Sequence, residues 1–132
     1  MSESSTVVFI VDDETDILEC VGRFLSSKDR SLKAFSSPTE ALSAIVSKET
    51  RPDLIVTDIL MPEMDGFEFI AKIHEICPNI PIVIVTGYAY KDISMSAQDL
   101  GVVAIIEKPF EPALLQEVID RALLSSPPDR KR

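Results

Sequence analysis

Val7-Val8-Phe9-Ile10-Val11-Asp12-Asp13-Glu14 is a run of apolar, mostly β-branched residues that breaks straight into three acids. An apolar run without polar alternation is the mark of a strand covered on both faces, as in a parallel sheet. Three further runs repeat the pattern: Leu54–Thr57 ends at Asp58, Ile80–Val85 ends at Thr86, and Val102–Ile106 is followed by Glu107 and Lys108. Ser31–Phe35 is a weaker run, expected as an edge strand.

Between these runs the apolar spacing turns helical. Ile17, Leu18, Val21, Phe24 and Leu25 share one face, as do Phe67, Ile70, Ile73 and Ile76, and then Leu114, Leu115, Val118, Ile119, Ala122 and Leu123. Ser37-Pro38-Thr39-Glu40 reads as a capping box with Pro at the first helical position, and Asp65-Gly66-Phe67-Glu68 as an N-cap with an acid in the first turn. Glu111-Pro112 opens the last helix, and a weaker helix is expected from Lys91 to Leu100, stopping at Gly101. Alternation of strand and helix predicts a parallel sheet with helices on both faces. Right-handed crossovers then bring the carboxyl ends of the strands to one edge, where ligands of such sheets bind.

The chain has 132 residues, enough for one domain with a core of its own. The expected division is a tail over residues 1–6, the domain over 7–125, and a C-terminal tail or the start of a linker over 126–132. Hydrophobic residues make up 45% and the formal net charge is −9. So acidic a body repels phosphate backbones and anionic lipid, which argues against direct nucleic acid or membrane binding. No apolar run approaches the ~20 residues of a membrane span. The N-terminus lacks the basic flank of a signal peptide, so a cytoplasmic location is expected. Cys20 and Cys77 fall on helices expected on opposite faces of the sheet and are read as unpaired packing thiols. His74, beside the apolar stripe of its helix, is read as a surface residue, and Arg130–Arg132 as a solvated tail.

The polar residues at the strand ends carry the chemistry: Asp12 and Asp13, then Asp58, then Thr86, then Lys108. Two carboxylates at ~4 Å repel by about 4 kcal/mol at an effective dielectric of 20. A hard divalent cation on oxygen ligands offsets that, and carboxylates without His or Cys favour Mg²⁺. Lys108 supplies a second positive centre. A cation, an ammonium and a hydroxyl around one carboxylate form a cradle for phosphoryl oxygens, which points to phosphoryl transfer onto an Asp. Taken singly, Asp12-Asp13-Glu14 could cap a helix, and Thr86-Gly87 and Lys108-Pro109 could be turns. Taken at four strand ends together, they favour a site.

At these residues the chain resembles the receiver domains of two-component response regulators. The resemblance rests on Phe9-Ile10-Val11-Asp12-Asp13-Glu14, Asp58-Ile59-Leu60-Met61-Pro62-Glu63-Met64-Asp65-Gly66, Ile84-Val85-Thr86-Gly87 and Lys108-Pro109-Phe110. It covers the chain from about Val7 to Leu124 and implies a single α/β, flavodoxin-like, doubly wound (βα)5 domain with strand order 2-1-3-4-5. It implies that Asp58 accepts a phosphoryl group from a sensor histidine kinase or a histidine phosphotransfer protein. Asp13, Asp58 and the backbone carbonyl of Leu60 would bind Mg²⁺, with Asp12 helping directly or through water. Thr86 and Lys108 would hold the phosphoryl oxygens, Lys108-Pro109 would be cis, and a downstream output protein or domain would read the state. The domain would catalyse only its own phosphorylation and dephosphorylation.

Two positions depart from the family's pattern. Ile105 stands where an aromatic usually follows the Thr inward, which moves the expected output response to residues 86–100, Tyr88 and Tyr90 included. Leu60 stands where polar residues often help water attack, so a long-lived aspartyl phosphate is expected. The main alternative is a pseudo-receiver, an interaction module acting without phosphorylation; Asp13, Asp58, Thr86 and Lys108 argue against it. An FMN-binding flavodoxin-like protein would need a hydroxyl- and glycine-rich loop where the three acids stand. A haloacid-type phosphatase would need an Asp at Leu60.

Overall fold

The computed structural model describes residues 6–25, 30–47, 51–59, 61, 63–87 and 101–124. Five strands form one parallel sheet: β1 Thr6–Val11, β2 Arg30–Phe35, β3 Leu54–Thr57, β4 Ile82–Thr86 and β5 Ala104–Glu107, in the order β2-β1-β3-β4-β5. Among the described residues four helices flank it: α1 Thr15–Leu25, α2 Pro38–Val46, α3 Gly66–Ile76 and α4 Pro112–Leu124. The expected α/β architecture and the 2-1-3-4-5 order are what the chain adopts. The helix expected over Lys91–Leu100 lies outside the described residues.

The unbroken apolar runs divide their side chains between two cores, because successive strand residues point to opposite faces. Phe9 and Val11, Ile55, Ile82 and Ile84 pack under α2 and α3 with Ala41, Ile45, Phe69, Ile70 and Ile73. Val8 and Ile10, Leu54 and Val56, Val83 and Val85 pack under α1 and α4 with Val21, Leu115 and Ile119. Burying side chains of this size is worth about 1.5–3 kcal/mol each, which is what holds helices on both faces.

The helical stripes differ in detail from their sequence reading. In α3 Phe69 is fully buried while Ile76 is exposed. The inward row runs Phe69, Ile73, Cys77 at i, i+4, i+8, so Ile76 is turned out of it. In α4 Leu115, Ile119 and Ala122 are buried and Leu114 is exposed. Cys77 is buried as expected of a packing thiol, but Cys20 is exposed and packs nothing into the core. His74 is half-buried rather than a surface residue: its Nε2 donates to the Ile80 carbonyl at 3.2 Å, closing the turn between α3 and β4.

Helix starts follow their caps. Ser37 Oγ accepts from the N–H groups of Thr39 at 3.1 Å and Glu40 at 3.3 Å, and Pro38 opens α2. Asp65 Oδ1 accepts from Phe67 N at 2.8 Å and caps α3. These caps fix where α2 and α3 begin after the carboxyl ends of β2 and β3.

Candidate phosphoacceptor site at the carboxyl edge of the sheet

Strand register sets the site. Val11 pairs with Thr57 across β1 and β3, so the next residues, Asp12 and Asp58, emerge side by side. Backbone bonds continue the ladder by one step past the strands: Asp12 N donates to Phe35 O at 3.0 Å and Asp58 N to Val11 O at 3.2 Å. Both acids are buried, at 2% and 6% exposure. Asp13, at the turn into α1, is exposed. One carboxylate oxygen from each of Asp12, Asp13 and Asp58 lies within 4.8 Å of the others.

Lys108 reaches the cluster from the end of β5. Its Nζ donates to Asp12 Oδ2 at 2.8 Å, to Asp58 Oδ2 at 2.9 Å and to Glu14 Oε1 at 2.8 Å. Its backbone N–H donates to Thr86 O at 2.8 Å, which registers it against the end of β4. The Lys108-Pro109 peptide is cis. Thr86 is fully buried and forms the last residue of β4 rather than following it. Leu60 lies outside the described residues, as do Tyr88, Tyr90 and the rest of residues 88–100.

Electrostatics follow from burial and pairing. Desolvation pushes the Asp12 carboxyl above its ordinary value, more than the Lys108 ammonium and the Glu14 N–H pull it down. Burial alone would lower Lys108, but its bonds to Asp12, Glu14 and Asp58 outweigh that and hold it above an ordinary lysine, so it stays an ammonium. Asp58 is fixed on its other side too, where Oδ1 accepts from Ile59 N at 2.6 Å. The Asp58–Ile59 turn is itself pressed against the start of α3. A Cβ at Gly66 would fall 2.5 Å from Ile59 Cα and 2.8 Å from the Asp58 carbonyl oxygen.

The oxygen-only donor set is one that Mg²⁺ accepts. Asp12, Asp13 and Asp58 would hold such an ion between them, and it would offset the repulsion of their crowded charges. Glu14 is the residue that sequence reading left out of the site. Its position beside the Asp pair placed it near the edge, but its bond to Lys108 depends on how α1 starts, which no residue spacing declares.

The family model described as the response regulator receiver domain matches residues 8–120. The chain is 31% identical over 128 residues to the transcriptional regulatory protein GlrR of Escherichia coli K12, covering 97% of this chain and 28% of that protein. It is 34% identical over 115 residues to the transcriptional regulatory protein FixJ of Rhizobium meliloti, covering 87% of this chain and 55% of that one. It thus spans less than two thirds of either relative's length. A solved receiver domain protein (CheY-like) from Methanospirillum hungatei JF-1 superposes with a TM-score of 0.83 at 32% identity, covering 91% of this chain and 94% of the other. With its five-stranded order, its acid pair at the end of β1 and its matching family model, the chain belongs to the response regulator receiver domains of two-component signal transduction.

Proposed function

We propose that this domain is a phosphorylation-operated switch in which Asp58 accepts a phosphoryl group from a phosphohistidine, with Mg²⁺ bound by Asp12, Asp13 and Asp58 and by the Leu60 carbonyl. The observation that carries the reading is the Lys108–Asp58 contact, which aims an ammonium at a buried strand-end carboxylate. Bound there, Mg²⁺ supplies charge neutralisation for carboxylates and phosphoryl oxygens alike.

The residues divide the work. An Asp58 carboxylate oxygen attacks phosphorus in line with the P–N bond of the donor. The P–N electron pair returns to the imidazole, which leaves neutral with its proton on the other ring nitrogen, and a mixed anhydride forms at Asp58. Lys108 holds Asp58 in place beforehand and takes a phosphoryl oxygen afterwards. The Thr86 hydroxyl donates to a second phosphoryl oxygen. The Ile59 N–H keeps the Asp58 side chain from rotating away from the edge.

A sensor histidine kinase or histidine phosphotransfer protein is the donor, and an output domain or protein reads the state, in a cytoplasmic setting. No helix among the described residues is long and apolar enough to cross a membrane. The domain works on itself alone, since its acceptor is its own side chain. The expected division into a tail at 1–6, the receiver at 7–125 and a tail or linker start at 126–132 shifts by one residue at its start, because Thr6 already pairs with Arg30 as the first residue of β1.

Incubation with Mg²⁺ and acetyl phosphate, followed by intact-mass measurement, tests the assignment. The mass should rise by one phosphoryl group, and Asp58→Asn should abolish the gain. Label that persists in Asp58→Asn and maps to another residue would overturn it.

A further inference from the structure

Lys108 carries three N–H donors, and all three are in use. They go to Asp12, Glu14 and Asp58 at 2.8, 2.8 and 2.9 Å. An incoming phosphoryl oxygen therefore finds the ammonium fully occupied, and one carboxylate has to give way. The three acceptors are not equivalent. The side chains of Asp12 and Asp58 are 3% and 8% exposed, whereas that of Glu14 is 59% exposed.

Asp12 is the most buried of the three and the least free to move. Its Oδ1 is also tied to Glu14 N at 2.9 Å. Asp58 is still a carboxylate while the donor approaches, and needs its counter-charge until the new P–O bond forms. Glu14 can exchange Lys108 for water at little cost. Its backbone stays in place as it does so, because its carbonyl accepts from Ile17 N at 3.1 Å and Leu18 N at 3.3 Å in the first turn of α1. Only the side chain has to swing.

Resting on the phosphoacceptor reading above, we propose that Glu14 is the exchangeable partner of Lys108. It holds the ammonium in the unphosphorylated domain and yields it to a phosphoryl oxygen, so it lowers the domain's affinity for the phosphoryl group. Glu14 is a positioning residue that acts through Lys108. An exposed ion pair of this kind is worth a factor of about two to five in an equilibrium.

The test is a fluorine NMR titration of the full chain with beryllofluoride, a phosphoryl mimic, at saturating Mg²⁺, on wild type, Glu14→Gln, Glu14→Ala and Asp16→Asn. Asp16 is an acid in the first turn of α1, and its variant measures what the loss of a nearby charge does by itself. Glu14→Ala should bind beryllofluoride about two- to fivefold more tightly than wild type, with Glu14→Gln in the same direction. Asp16→Asn should differ from wild type by clearly less. Equal or weaker binding by both Glu14 variants overturns the proposal, and so does an equal gain in Asp16→Asn, which would mean a general field effect. Failure of wild type to bind beryllofluoride at all, with Mg²⁺ present, would instead overturn the phosphoacceptor reading itself.

Discussion

Ser37 Oγ donates to Glu63 Oε1 at 2.5 Å, joining the N-cap of α2 to the connection between β3 and α3. The same hydroxyl oxygen accepts from two backbone N–H groups of α2, so one side chain serves both a helix start and the segment that follows Asp58. Ser37→Ala should destabilise the domain by about 1 kcal/mol through the lost cap. Urea unfolding at neutral pH measures it, and an unchanged midpoint would count against the cap's contribution.

The same contact predicts an acid-side effect. Hydrogen bonds from Ser37 and Thr39 hold the Glu63 carboxyl below its ordinary value. A carboxyl lowered in the folded state contributes stability that is present above its unfolded value and lost as pH falls through the folded one. Glu63→Gln should therefore flatten the decline in stability below about pH 4.5, with the two proteins converging in acid and the variant slightly the less stable at neutral pH. The group is fully exposed, so the difference will be small, and parallel pH curves for the two proteins would contradict it.

Gly66 carries no side chain because the Asp58–Ile59 backbone occupies that space. Its N–H donates to Ile59 O at 2.9 Å, which closes the approach further. The atoms a Cβ would meet are backbone rather than the ends of flexible side chains, so Gly66→Ala must push α3 and the Asp58 turn apart. The expected cost is about 1–3 kcal/mol. Because the displaced turn carries Asp58, acetyl phosphate should also label Gly66→Ala more slowly at temperatures where it remains folded. Wild-type labelling with wild-type stability would show that the turn tolerates the methyl group.

Crowding of Asp12, Asp13 and Asp58 predicts a response to metal. An ion bound only by the folded state raises stability by RT ln(1 + [L]/Kd), about 2.7 kcal/mol at a hundredfold excess over Kd. The melting temperature should climb with Mg²⁺ concentration and fall back with EDTA. Asp13→Ala should weaken the climb, and Asp58→Asn should raise the metal-free melting temperature by removing one of the crowded charges. Identical melting in EDTA and in millimolar Mg²⁺ would argue that the three oxygens do not share an ion.

The strand ends were legible because a doubly covered strand must be apolar throughout, so the first polar residue marks the edge. Asp12 and Asp58 could be placed that way, and Thr86 and Lys108 to within one residue. Helix faces were less legible. In α3 both Phe67 and Phe69 suit an apolar stripe, and only the packed core beneath α2 and α3 shows that Phe69 is the one fully inside. The bonds that Glu14 and Glu63 make could not be read. Each acts through a side-chain bond between separate connections, Glu14 to Lys108 and Glu63 to Ser37, and such bonds leave no periodicity in the chain. Cys20 misled for a simpler reason: free cysteines are among the most buried residues, but α1 turns this one to solvent.

Cys77 offers a last, alkaline prediction. It ends α3, where its N–H donates to Ile73 O at 2.7 Å, and its side chain belongs to the core beneath α2 and α3. Burial pushes its thiol above the ordinary value, with Arg51 pulling weakly the other way. The folded state therefore keeps the proton over a range in which the unfolded chain has released it. Where the unfolded state binds fewer protons, stability falls as pH rises, so the loss begins near pH 8.5 and continues to the folded value. The slope will lie below the roughly 1.4 kcal/mol per pH unit of a completely desolvated thiol, since Arg51 and partial solvent access offset part of it. Cys77→Ala removes the titrating group and leaves a small cavity, which lowers stability by a constant amount at every pH. Urea unfolding at pH 7.5, 8.5 and 9.5 separates the two effects: the constant offset is the cavity, and the difference in slope is the thiol. If the slope survives in Cys77→Ala, the alkaline loss arises elsewhere and the burial of Cys77 has no bearing on it.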